Sequence, residues 1–255
     1  MPQISDPYGN TQVSARIWVL LGELAQLVER CDRTAEASGS NPLSSIFNSL
    51  AMTMVQTSTP PEILALQLPS TIALQVTQEQ FEALSAANCT LKLERTAEGK
   101  LIVNPPTGGE SGQRNFSITG QLARWHEEHE ELGEGFDSST GFRLPNGADR
   151  SPDAAWVSRA RWESLTPKQR KGFVPLCPDF VIELRSESDS LSELQAKMRE
   201  YIANGTILGW LIAPQNRQVE IYRAGKDIEV LRNPSDLSGE DVLPGFVLNL
   251  RRIWS

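Results

Sequence analysis

From Thr77 onward the spacing of apolar positions switches repeatedly between a helical and a strand period. Thr77-x-x-Gln80 places a side-chain acceptor at an N-cap with an amide three residues on, and Phe81 and Leu84 follow at helical spacing. This pattern predicts a short helix ending near Asn88. Leu91-Lys92-Leu93-Glu94 alternates apolar and polar, Ala97-Glu98-Gly99-Lys100 turns, and Leu101-Ile102-Val103 returns, which reads as a hairpin. Pro105-Pro106-Thr107-Gly108-Gly109 breaks it. Ile118, Leu122 and Trp125 predict a second helix from about Ser111 to Glu131, stopped by Gly133 and Gly135.

The second half carries denser apolar runs. Strands are expected at Gly141–Leu144, Asp153–Val157, Asp179–Leu184 and Ile207–Ile212, and Val219–Tyr222 with Ile228–Val230 completes a meander. Arg159–Leu165 reads as a short helix and Thr166–Gly172 as a polar loop. Leu194, Met198 and Tyr201 share one face of a helix from Leu191 to Tyr201, closed by Asn204-Gly205. Pro244-Gly245-Phe246 leads into a tail. Helices interspersed among strands define an α/β (α+β) domain built on a mixed sheet.

Composition changes this picture little. Of 255 residues, 39% are hydrophobic and 22% charged, ordinary globular usage that excludes a disordered, collagen-like or disulfide-scaffold chain. The longest apolar run, Ile17–Leu21, falls far short of the ~18–20 residues that span a bilayer. Asp6 sits where a signal peptide would carry positive charge. Cys31, Cys89 and Cys177 are odd in number and widely spaced, which fits a reduced compartment, the cytoplasm, and neither a disulfide frame nor a zinc site.

Residues 1–51 read differently from the rest. Ala25-Gln26-Leu27-Val28-Glu29-Arg30 can be encoded by the D-arm consensus of a transfer RNA gene, and Gly39-Ser40-Asn41-Pro42 by its T-arm consensus. Both fall in one frame, at the offset those arms have in a standard tRNA. The expectation is that 1–51 translate a tRNA gene and that Met52 or Met54 begins the protein, with 52–76 an extended lead-in and 77–255 the domain. A nucleotide sequence that cannot fold as a cloverleaf over codons 24–42 removes this expectation. The whole chain carries a net charge of −8. The remainder after residue 51, with 21 Lys and Arg against 27 Asp and Glu, carries −6. Neither figure favours indiscriminate attraction to nucleic acid.

Candidate chemistry concentrates at two Pro-Asp steps, Pro152-Asp153 and Pro178-Asp179, each opening an apolar strand. Taken singly, proline at a strand start and aspartate after it are structurally ordinary. Glu183 lies inside Phe180-Val181-Ile182-Glu183-Leu184, where a carboxylate is expensive unless it is paired or binds a metal. Asp179 and Glu183 share a strand face but stand ~13 Å apart along it, too far to chelate one ion. If the two strands are adjacent and antiparallel, Asp153 meets Glu183; if parallel, it meets Asp179. The antiparallel arrangement is the expectation. On the following helix Lys197 supplies a base or charge clamp, unless it merely pairs with Glu193, and Gln195 is a neutral alternative. His126 and His129 read as part of a solvated acidic helix face rather than a metal pair.

The string from Pro178 to Asp189, followed by Lys197-x-x-x-Tyr201, Gly205, Gly209-Trp210-Leu211-Ile212-x-Pro214 and Val219-Glu220-Ile221-Tyr222, resembles the Uma2 family. Ser151-Pro152-Asp153 and Gly108-Gly109-Glu110 match its pattern too, and the resemblance covers roughly residues 77–250. These are restriction-endonuclease-like proteins, once a domain of unknown function, assigned to the PD-(D/E)xK nuclease superfamily. The resemblance implies a central mixed sheet flanked by helices, preceded here by the hairpin. It implies Mg²⁺, or Mn²⁺, held by Asp153 and Glu183, a nucleic-acid substrate with DNA preferred, and a homodimer. It also offers Glu110 as a first-motif glutamate.

The superfamily's lysine stands two residues after the acid, where this chain has Arg185. Arginine can clamp phosphate but not act as a base, so the lysine role moves to Lys197. Lys168, Arg170 and Lys171 in the loop before the strand, with Arg185, are the nucleic-acid candidates, and Arg114 and Arg124 add positive charge. The substitution at Arg185 also leaves open a nuclease-like fold that binds or regulates without cutting. An acid-pair hydrolase acting on sugars or lipids has no nucleophile motif to support it.

Overall fold

The computed structural model describes residues 74–255. The expectations for residues 1–51 and for most of the lead-in lie outside the described residues. Thr77 caps the first helix, α1 (Gln78–Ala87): its Oγ1 accepts from the Gln80 N–H, and the Gln80 side chain accepts from the Thr77 N–H. The hairpin follows as β1 (Lys92–Arg95) and β2 (Leu101–Asn104), with Lys92 opposite Asn104. Helix α2 (Gly109–Glu127) buries Ile118, Leu122 and Trp125, the three residues whose spacing predicts it. Then come β3 (Gly133–Asp137), β4 (Phe142–Arg143), β5 (Asp149–Arg150), β6 (Ala154–Ser158), α3 (Arg159–Glu163), β7 (Phe180–Leu184), α4 (Leu191–Ala203) and β8 (Leu208–Ala213). The chain closes with β9 (Gln218–Arg223), β10 (Glu229–Arg232), β11 (Asp236–Ser238) and β12 (Val247–Asn249).

Six strands form the central sheet in the order β10-β9-β8-β7-β6-β3. β7 and β8 run parallel, joined through α4, and every other neighbouring pair is antiparallel. The hairpin belongs to a separate four-stranded sheet, β2-β1-β5-β4. β11 and β12 pair as a two-stranded ribbon where the sequence suggests only a tail.

Gly133 and Gly135 do more than stop a helix, since both lie in β3. A Cβ on Gly133 would come within 2.2 Å of the Val157 carbonyl and 2.5 Å of the Trp156 ring, so only glycine lets β3 lie this close to β6.

The two faces of β7 have opposite chemistry. Phe180, Ile182 and Leu184 point into a dry layer with Trp156, Trp210 and Phe246, covered by Ile118, Leu122 and Trp125 of α2. Val181 points the other way, among Ala155, Val157, Leu211 and the α4 residues Met198 and Tyr201. Gly209 lets α4 approach: a Cβ there would stand 2.6 Å from Met198 Cε. By strand alternation Glu183 shares the α4 face with Val181.

Candidate active site

Ala154 of β6 is opposite Ile182 of β7. One residue further along that antiparallel register, Asp153 stands opposite Glu183, and the Asp153 N–H donates to the Ile182 carbonyl at 3.0 Å. The Asp153 side chain folds onto the end of β7, where Oδ2 accepts from the Leu184 N–H at 2.9 Å. The antiparallel expectation therefore matches the sheet, and the two acids are cross-strand neighbours on one face.

Helix α4 packs over that face. Lys197 and Tyr201 sit one turn apart on it. Lys197 Nζ lies 2.8 Å from Glu183 Oε1, and the Tyr201 hydroxyl donates to the same oxygen at 3.0 Å. The same Nζ reaches Glu94 Oε1 at 2.9 Å. Glu94 arrives on β1 and is held in turn by the Ser151 N–H at 3.1 Å and by Arg150 Nη1 at 3.3 Å. Arg150 Nε donates to Glu200 at 2.6 Å, tying the cluster back to α4. Lys92 shares Glu94's face of β1, two residues earlier, and its Nζ lies 3.5 Å from Asp153 Oδ1. Glu193, the helical partner considered for Lys197, is not its partner.

Three acids, Glu94 of β1, Asp153 just before β6 and Glu183 of β7, thus converge with three cations, Lys92, Arg150 and Lys197. Burial pushes the Glu183 carboxyl up to about 7, and the charges of Asp153 and Glu94 add to the rise against the pull of Lys197 and Lys92. Glu94 is also desolvated, but Lys197 and Arg150 outweigh burial and hold it below the usual carboxylate range. Burial acts to lower the Lys197 ammonium, and Glu183 with Glu94 overrides it and raises it. The two carboxylates thus favour the charged form of Lys197.

The donor set fits a hard divalent ion. Both contacts to Glu183 fall on Oε1, leaving Oε2 without a protein donor among the described residues. Asp153 Oδ1 has only the long contact to Lys92. One carboxylate oxygen on each of two neighbouring residues suits Mg²⁺, which keeps several waters and takes one or two carboxylates rather than a protein cage. No group of three or more acidic, His or Cys side chains among the described residues is placed to make such a cage.

Other residues singled out by the sequence lie elsewhere. Asp179 is at the far end of β7, where it accepts from the Ser158 N–H at 2.7 Å and pairs with Arg161 at 2.7 Å. Gln195 faces another strand and donates to Glu220 at 2.8 Å. Glu110 is exposed on the first turn of α2 and pairs with Arg114 at 3.2 Å. Arg185 is turned into its own loop, donating to the Asp189 carbonyl at 3.2 Å. His129 donates from Nδ1 to the Trp125 carbonyl at 2.8 Å and stacks on the Trp125 ring. No sequence pattern singles out Glu94, Arg150 or Lys92. Glu94 and Lys92 read simply as the polar half of a hairpin's alternation, and no local spacing links them to residues 60–100 positions away.

A cleft of about 1050 Å³ opens beside the cluster, with Lys92 and Ser151 in its wall. Arg143, Lys168 and Lys171 also line it, against a single acid, Glu82, which Arg143 already pairs at 2.9 Å. Arg170 does not: its guanidinium lies over the Trp162 ring at 5.0 Å. A chain that is acidic overall thus gathers cations along one groove.

A mixed sheet flanked by helices, with paired carboxylates at the adjoining ends of two of its strands, is the restriction-endonuclease-like class of fold. A family model described as "Putative restriction endonuclease" matches residues 78–251, and the chain belongs to that family, Uma2. Among solved structures it is similar to a "putative nuclease belonging to DUF820" from Anabaena variabilis ATCC 29413. That likeness has a TM-score of 0.54 at 20% identity, over 64% of this chain and 89% of the other. No curated protein matches the chain. No helix among the described residues is long and apolar enough to cross a membrane.

Proposed function

We propose that this protein is a metal-dependent endonuclease that hydrolyses phosphodiester bonds in DNA, with Asp153 and Glu183 holding Mg²⁺ or Mn²⁺. The observation that carries this is the cross-strand juxtaposition of Asp153 and Glu183, each with an oxygen to spare, behind a cationic cleft whose wall includes Lys92, the residue in contact with Asp153. The family and fold agree with it. When bound, the ion polarises the phosphate and lowers the pKa of a coordinated water.

The protein's own residues then have separable tasks. Asp153 is oriented by the Leu184 N–H, and Glu183 by the Tyr201 hydroxyl. Lys197 neutralises Glu183 and Glu94 together, so the acids can stand close without a metal. Lys168 and Lys171 attract the nucleic-acid backbone into the cleft by charge, which suits substrate capture without base readout. A nuclease that cuts both strands of a duplex is expected to act as two copies, which light scattering with and without DNA tests.

The decisive experiment is plasmid nicking with Mg²⁺ or Mn²⁺. Metal-dependent nicking by the wild type, lost in Glu183→Ala and Asp153→Ala with folding intact, is the expected result. Metal indifference together with no nicking favours a binding or regulatory module, the alternative to which Arg185 in the lysine position points.

A further inference from the structure

We propose that Lys92, rather than Lys197, is the cation that meets the substrate's phosphate. This rests on the nuclease reading of the same site. Lys197 is unsuited to the task by its surroundings. Its Nζ is clamped between Glu183 at 2.8 Å and Glu94 at 2.9 Å, with its side chain 13% exposed. Turning it toward a phosphate would strip two buried carboxylates of their shared counter-charge. Lys92 has the opposite surroundings. Its side chain is 32% exposed, it lines the cleft, and its one carboxylate contact, to Asp153, is long at 3.5 Å. Such a contact is worth little and is easily given up.

Position supports the assignment. Lys92 lines the same cleft as Lys168 and Lys171 and also contacts Asp153, so a backbone lying along the cleft meets Lys92 beside the acid pair. In the hydrolysis, a water oxygen bonds to phosphorus while the bond to one ester oxygen breaks, and a proton from that water ends on the leaving oxygen. Lys92 keeps its own proton throughout and offsets the charge on a non-bridging oxygen. The sequence thus carries two lysines in one cluster with divided duties: Lys197 holds the acids together, and Lys92 faces outward.

Steady-state nicking with Mg²⁺ should be measured for wild type, Lys92→Met, Lys92→Arg and Lys197→Met, beside their thermal midpoints. In Lys92→Met, kcat is expected to fall about 100-fold, the scale of losing one preorganised electrostatic partner. KM should stay within about threefold and the midpoint should be unchanged, and Lys92→Arg should recover part of the rate. Lys197→Met should instead lose thermal stability. Acetylation mapped by mass spectrometry gives a second readout: a short DNA duplex should protect Lys92. If Lys92→Met keeps kcat within about threefold of wild type, or loses only KM, or if DNA leaves Lys92 unprotected, the assignment is overturned while the nuclease reading stands. If the wild type shows no metal-dependent nicking, the nuclease reading itself falls and takes the assignment with it.

Discussion

Each end of β7 carries a carboxylate on the same face, Asp179 just before the strand and Glu183 near its close. They are almost equally buried, at 3% and 4% exposure, so burial does not tell them apart. Their company does. Asp179 is one acid served by one guanidinium and one backbone N–H, a closed set. Glu183 must share a single ammonium with Glu94 and faces Asp153 as well. The first arrangement fixes α3 and β6 to β7. The second leaves unspent acceptor capacity that a cation can use. A buried acid becomes a candidate for chemistry when its neighbours leave one of its oxygens unserved, not when it is merely buried.

The largest expected contrast comes from matched substitutions at the two ends. Glu183→Gln should lower the metal-dependent nicking rate by on the order of 10²–10³, whereas Asp179→Asn should leave it within about threefold. A rate loss at both ends, with folding intact, would erase the distinction.

Stability should sort the ends the other way. Arg161→Ala leaves Asp179 buried with its N–H donor but no cation, and should lower unfolding free energy by about 1–3 kcal/mol, less than a fully buried pair because Arg161 is partly exposed. Urea titration of this variant, with nicking assayed alongside, checks both halves of the expectation.

A smaller effect follows from the raised carboxyl of Glu183. Unfolded, this group titrates near the ordinary glutamate value of 4.5; folded, it holds its proton to about 7. The folded state therefore binds more protons across that window. The resulting contribution to stability is fully present below about 4.5 and is lost as pH rises through about 7. Wild type should lose on the order of 1–3 kcal/mol relative to Glu183→Gln over this range, and its Mg²⁺ affinity should rise over the same range. Parallel melting curves at several pH values for the two proteins would show it, and a constant offset between them would count against it.

The smallest effect lies in the cleft. Lys168→Ala with Lys171→Ala should weaken DNA binding a few-fold at moderate salt and flatten the dependence of log K on log salt by about 1–2. Arg170→Ala, whose guanidinium rests on Trp162, should leave that slope alone. Fluorescence anisotropy across a salt series distinguishes the two.

Much of the fold is legible from local pattern. The capping box, the hairpin, both long helices and the sheet's central strands all follow from spacing within a few residues. β3 is not, because Gly133 serves a close approach to Trp156 that only the folded sheet reveals. The acid pair is legible too, since Glu183 interrupts an apolar run and strand direction selects Asp153. Glu94 and Lys92 are not. Each is an ordinary polar position in a two-stranded alternation, and their contacts reach across 103 residues to Lys197 and 61 to Asp153. Gln195 and Glu110 show the converse: suitable chemistry at suitable spacing, pointed elsewhere by the packing of the helix that carries it.

The clamp between Glu94 and Lys197 also bears on when the protein becomes competent. Glu183 and Tyr201 are 18 residues apart and can meet as soon as α4 folds back on its own strand. Glu94 belongs to another sheet and must close a loop of 103 residues, at an entropic cost that grows by about 0.6 kcal/mol for each doubling of length. Until the hairpin docks, neither Glu94 nor Lys92 is in place. A chain whose hairpin is undocked therefore has Glu183 and Lys197 together but lacks Glu94 and Lys92. On the proposed roles, the site is complete only when the hairpin sheet and the central sheet are both in place.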